Sequence, residues 1–164
     1  PLSATGVACA TFAGQNYGAG RLDRVREGAK SAILFAGSMS VVMSVILYFF
    51  GGKIAQIFID ESNIETIQAA HTYLKVIAVF YFALAVLFVF RNVLQGIGKS
   101  YVSMIAGVSE LVGRVVAALI LSKLFGFFGV CLASPFAWMF ADIPLLLIYY
   151  VKVVKRRDKE CLKE

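Results

Sequence analysis

Glu110 and Arg114 stand four residues apart in the middle of YVSMIAGVSELVGRVVAALILSKLFGFF, residues 101–128, a run long enough to cross a bilayer as a helix. That spacing puts both charges on one helix face. Asp142 is the lone acid of a second apolar run, residues 129–151, and has no partner close in sequence. Ionisable groups at membrane depth are expensive and face a bundle interior, a water-filled cavity or a transport path. A carboxylate placed there can bind a proton in one conformation and release it in another, coupling a gradient to a change of shape. Glu110, with Arg114 one turn away, is therefore the candidate ion-pair switch, and Asp142 the candidate for protonation. The competing readings are structural: a salt bridge that only staples two helices, and a carboxyl that hydrogen-bonds a neighbouring helix or faces a wet vestibule.

The elements that must position these groups are apolar helices. Of 164 residues, 60% are hydrophobic and only 16% are charged, against roughly 25% in soluble domains; mean hydropathy is +0.80. The pattern predicts an all-α integral membrane protein with about four full transmembrane helices and the end of a fifth. The spans fall at about residues 31–50, 73–93, 101–123 and 129–151. Gly51 and Gly52 are expected to stop the first, and Pro135 and Pro144 to kink the last. Ser62-Asn63-Ile64-Glu65 fits a capping box, with Ser62 as N-cap, so the second span starts as an amphipathic helix near Asn63. The opening stretch, PLSATGVACATFAG, reads as a fragment that begins part-way down a helix.

Charge then sets orientation. Arg21, Arg24, Arg26 and Lys30 precede the first span, Arg91 and Lys99 follow the second, and Lys152, Lys155, Arg156, Arg157, Lys159 and Lys163 crowd the tail. The other two loops are poor in positive charge: Lys53 is offset by Asp60, Glu61 and Glu65, and only Lys123 follows the third span. This alternation predicts that the first loop, the middle loop and the C-terminal tail, residues 152–164, are cytoplasmic. The net charge of +6 is spread over loops in short clusters, not along one face, so nucleic acid is not an expected partner.

Other chemistry is sparse. Gly14-Gln15-Asn16-Tyr17-Gly18-Ala19-Gly20 lacks the Lys-Ser/Thr ending of a phosphate loop and reads as a helix end followed by a turn. Cys9, Cys131 and Cys161 are isolated, His71 has no second ligand nearby, and no Ser/His/Asp or Cys/His set is present. Neither a metal site, a cofactor nor an enzyme is expected.

GQNYGAGRLDRVREG followed by an apolar helix resembles the segment after the second helix of a lobe in the multidrug and toxin extrusion (MATE) transporters. The resemblance continues through YLKVIAVFYFALAVLFVFRNVLQGIGKSYVSMIAGVSELVGR, similar to that family's RxxLQGxG loop and the helix after it, and through FGFFGVCLASPFAWMFADIPLL, similar to the last helix of a lobe. It implies two six-helix lobes, of which the GQN form and the basic tail mark the C-terminal one. Residues 1–13 would then end the eighth helix, the four spans would be helices nine to twelve, and the N-terminal lobe and seventh helix would lie outside this chain. The implied activity is export of amphiphilic or cationic drugs in exchange for H+ or Na+ by alternating access. On that implication Glu110, Asp142 and Arg114 are the ion-coupling candidates. The aromatics Phe80, Tyr81, Phe82, Phe88 and Phe90 could line a drug cavity, face lipid or pack between helices; Tyr81, Phe82 and Asn92 are the substrate-cavity candidates. Residues 73–93 lack the acidic cation ligand that some family members carry there, which puts that form of sodium site in doubt. Two other classes remain: a flippase for lipid-linked precursors, whose cavity should be richer in cations, and a non-transporting four-helix membrane scaffold.

Overall fold

A computed structural model describes residues 2–59 and 63–155. Among them there are six α-helices and no strand: α1 (Leu2–Gly18), α2 (Leu22–Phe58), α3 (Ile64–Val79), α4 (Tyr81–Gly96), α5 (Ser100–Phe125) and α6 (Phe127–Tyr149). A π-helical turn, Tyr150–Val154, continues α6. Three helices are long and apolar enough to cross a membrane, and the α3–α4 pair makes a fourth crossing if taken as one bent span.

The central helix is α4. It packs against α1, α2, α5 and α6, and its Ala85, Leu87, Val89, Val93 and Leu94 are buried. Leu2, Val25, Ala36, Val102, Leu145 and Val153 from the surrounding helices complete the core. The α5–α6 pair is an antiparallel hairpin turned at Gly126, whose φ of 57° suits a residue without Cβ. Most of α5 is exposed; only Val102, Ala106, Gly113 and Ala117 form its buried stripe.

Two loops close with the same device. Arg21 N donates to the Asn16 carbonyl and Gly20 N to the Tyr17 carbonyl; Lys99 N donates to the Leu94 carbonyl and Gly98 N to the Gln95 carbonyl. Each pair is the crossed bonding of a Schellman motif, with its glycine at φ 74° or 78°. The expected turn in the Gly14–Gly20 cluster is therefore confined to Gly20. Gly14 and Gly18 lie inside α1, and a Cβ at Gly14 would come within 2.9 Å of the Gly96 carbonyl of α4.

The structure differs from the sequence pattern in the first span. Helix α2 does not stop at Gly51-Gly52 but runs through to Phe58. Those glycines serve packing instead: Leu74 and His71 of α3 lie against Gly51, and the His71 imidazole lies against Gly52. At its other end α2 already begins at Leu22, so the basic residues Arg24, Arg26 and Lys30 belong to the spanning helix itself.

The expected span over residues 73–93 contains a break. Helices α3 and α4 meet at 57° at Phe80, whose φ of −101° and ψ of 9° lie outside the helical basin. There Phe80 N bonds the Ile77 carbonyl in a tightened turn, and the Ser44 hydroxyl of α2 donates to the Ala78 carbonyl. In an unbroken helix that carbonyl would accept from Phe82. A side chain from a neighbour thus replaces a lost ladder bond, the usual way a broken helix is tolerated in a bilayer. Helix α6 carries both Pro135 and Pro144 within its length. Helix α3 starts at Ile64 with Asn63 before it, accepting from the Thr66 hydroxyl; the expected N-cap Ser62 lies outside the described residues. So do Asp60, Glu61, Cys161 and the tail beyond Lys155.

Candidate functional site

Three helices bring charges together. Arg91, on α4, donates through Nη2 to Glu110 Oε2 of α5 at 3.2 Å, while Arg114 Nη2 reaches Glu110 Oε1 at 2.8 Å. Glu110 therefore holds one guanidinium on each oxygen: one cross-helix bond, and one i,i+4 bond along α5. Asp142 of α6 is 8% exposed and lies within the field of Arg91. Among the described residues, Arg91 Nε, Asp142 Oδ1 and Ser103 Oγ are buried without a hydrogen-bond partner. Unsatisfied buried polar atoms are rare and call for an explanation. Here an arginine already committed to one carboxylate keeps a free N–H in a region that also holds a second carboxylate with a free oxygen.

The helix geometry explains this placement. The α4 Schellman loop at Gly98 leaves Arg91 more than one turn inside the helix, on the side facing α5 and α6. Helices α5 and α6 approach closely because Gly113 sits against Phe140 and Ala137, and any Cβ at Gly129 would overlap the Leu121 carbonyl. Side-chain exposure falls from 48% at Arg114 to 25% at Arg91 and 20% at Glu110, so the network runs from the open face of α5 into the bundle.

Counted by sequence among the basic residues that mark the cytoplasmic end of the second span, Arg91 lies within helix α4 and belongs to this network. The available signal was the apolar company of Arg91 inside the expected span, which by itself calls for a buried partner. The substrate-cavity candidates are scattered by comparison. The Asn92 amide donates to the Phe88 carbonyl and abuts Gly6 of α1. Tyr81 packs on the core, and the half-exposed Phe82 ring covers Gly37 of α2. Of the other aromatics, Phe90 meets Tyr149 edge-on, with ring centroids 4.7 Å apart.

The MatE family model matches residues 1–120. No curated protein matches the chain. Among solved structures, one described as the inward-facing conformation of a multidrug resistance MATE family transporter of the MOP superfamily superposes with a TM-score of 0.82 at 17% identity. The match covers 92% of this chain and 34% of that one, so the chain spans about a third of the length of that transporter. At that identity the likeness speaks to the fold, which is that of part of a MATE transporter. With the family model covering nearly three quarters of the sequence and its apolar helices making it a multi-pass membrane protein, the chain belongs to the MatE family.

Proposed function

We propose that this chain is the C-terminal-lobe portion of a secondary active antiporter that exports amphiphilic or cationic drugs in exchange for H+ or Na+. The observation that carries the reading is the Arg91–Glu110–Arg114 network beside the buried Asp142, at the junction of α4, α5 and α6. Asp142 takes up and releases the coupling cation. Glu110 answers by changing how it shares Arg91 and Arg114, and the helices carrying these groups shift with it. The break at Phe80 supports the same reading, since discontinuous helices recur at transporter sites and give a bundle somewhere to flex. Basic residues gather where α1 and α4 end and α2 and α5 begin, which on the positive-inside bias is the cytoplasmic side, with the C-terminus.

The flippase alternative gains nothing from Arg91. Both guanidiniums are already held by Glu110, so neither is free for a pyrophosphate. The test uses the full-length transporter in cells, with Glu110→Gln and Asp142→Asn measured over a range of external pH and sodium. At least one variant is expected to lose gradient-driven drug export at near-normal membrane abundance. Normal export by both would make the carboxylates structural and move coupling to the rest of the protein.

A further inference from the structure

A cleft of about 470 Å3 opens between α2, α4 and the end of α6, lined by Arg26, Lys30, Ile33, Leu34, Phe90 and Tyr149, among others. Arg26 and Lys30 are one turn apart on α2, and Ile33 and Leu34 follow on the next turn. The order of side chains along this face is thus cation, cation, apolar, apolar, the order in which a bilayer passes from headgroup to hydrocarbon. Tyr149 and Phe90 close the inner wall through their edge-to-face contact. The outer wall is open: Leu34 is 76% exposed, and Val41 and Val45 continue its stripe along α2.

The cations are uncommitted. Of the four basic residues at the start of α2, Arg21 is paired with Asp23, and Arg24 lines a different cleft together with Glu27. Among the described residues, neither Arg26 nor Lys30 makes an ion pair, and no acidic side chain lines their cleft. The charge of Arg26 also reaches the buried Tyr149.

We propose that this cleft binds an anionic phospholipid, with its phosphate between Arg26 and Lys30 and one acyl chain along Ile33 and Leu34. Free phosphate would use the cations but leave the apolar wall without a role. A lipid uses both, and reaches the cleft from the side on which Leu34 is exposed. Paired basic groups beside an apolar groove between spanning helices are the physical basis of headgroup recognition at the cytoplasmic surface. The site differs from diffuse electrostatic anchoring because it excludes Arg21 and Arg24, and it is independent of the transport reading because its readout is lipid retention.

The test is native mass spectrometry of the full-length transporter released from mixed phosphatidylglycerol and phosphatidylcholine micelles. Wild type is expected to retain phosphatidylglycerol selectively, and excess inorganic phosphate not to displace it. The Arg26→Gln/Lys30→Gln double variant is expected to lose about 25-fold in retention, the scale of two basic groups at an anionic surface. The Arg26→Lys/Lys30→Arg swap should keep the lipid, and Lys99→Gln should be silent. Unchanged retention in the double variant, an equal loss in Lys99→Gln, or displacement by phosphate alone would overturn the proposal. If the double variant is not monodisperse, Leu34→Glu places a carboxylate on the exposed wall and must lower retention; normal retention there would count equally against the site.

Discussion

The two sides of α4 are joined to the rest of the molecule by opposite means. Toward α1 the helices nearly touch: Gly6, Ala10 and Gly14 form a small-residue stripe, Gly6 receiving the Asn92 side chain and Ala10 and Gly14 meeting the Gly96 backbone, where a Cβ would overlap the Ala10 carbonyl. Toward α5 the contact includes an ion pair, Arg91 with Glu110, and the buried carboxyl of Asp142 on α6 lies within the field of Arg91. Small residues let membrane helices approach closely and gain van der Waals contact, which locks one arrangement. Charges with unsatisfied N–H and oxygen atoms admit more than one arrangement, because a bond lost to one partner can be remade with another. The first seam is built to stay, and the second has the chemistry to change.

The largest effect should come from the backbone seam. Gly96→Ala inserts a methyl where only backbone fits and is expected to cost about 3 kcal/mol or more, the upper end for overpacking, with Gly96→Val worse. Gly107→Ala, which meets nothing within 4 Å, should be neutral or slightly stabilising. Thermal aggregation of the detergent-solubilised full-length protein separates the two, and equal tolerance at both positions would remove the rigid seam from the account.

On the ionic seam the effect should be graded by how much each residue holds. Glu110→Gln loosens both arginines and is expected to cost about 1.5–3 kcal/mol, the range for hydrogen bonds to charged groups. Arg114→Gln, at the half-exposed end, should cost below about 1 kcal/mol. The same melting assay ranks them, and the reverse order would mean that the cross-helix bond to Arg91 contributes little. Ser44→Ala should be smaller than Glu110→Gln, about 1 kcal/mol for one neutral hydrogen bond. Its signature is local: faster amide exchange around residues 78–83, where the Ala78 carbonyl loses its donor. Unchanged exchange there would show that the break holds without Ser44.

The apolar helices and the basic clusters were legible in the sequence because hydropathy and charge are local properties. The pairing of Glu110 with Arg114 was legible for the same reason, since helix periodicity alone brings them together. What escaped was decided across helices. The break in α3–α4 has no proline or glycine to mark it, and its donor, Ser44, sits on another helix. Gly51 and Gly52 look like a stop until the packing of His71 and Leu74 on them is seen. Arg91 lies at the end of the expected second span, and only its bond across to Glu110 of α5 shows that it is more than an orientation charge.

The central claim, that the ionic seam couples cation movement to drug movement, is met most directly by flux measurements on the full-length transporter in proteoliposomes carrying lumenal pH and sodium indicators. A drug gradient imposed on wild type should drive H+ or Na+ the other way. Asp142→Asn should abolish that cation flux while retaining exchange of labelled for unlabelled drug across the membrane. Cation flux that persists in Asp142→Asn at the wild-type ratio to drug would contradict the role of Asp142, and the same result in Glu110→Gln as well would leave the α4–α5–α6 junction a structural staple.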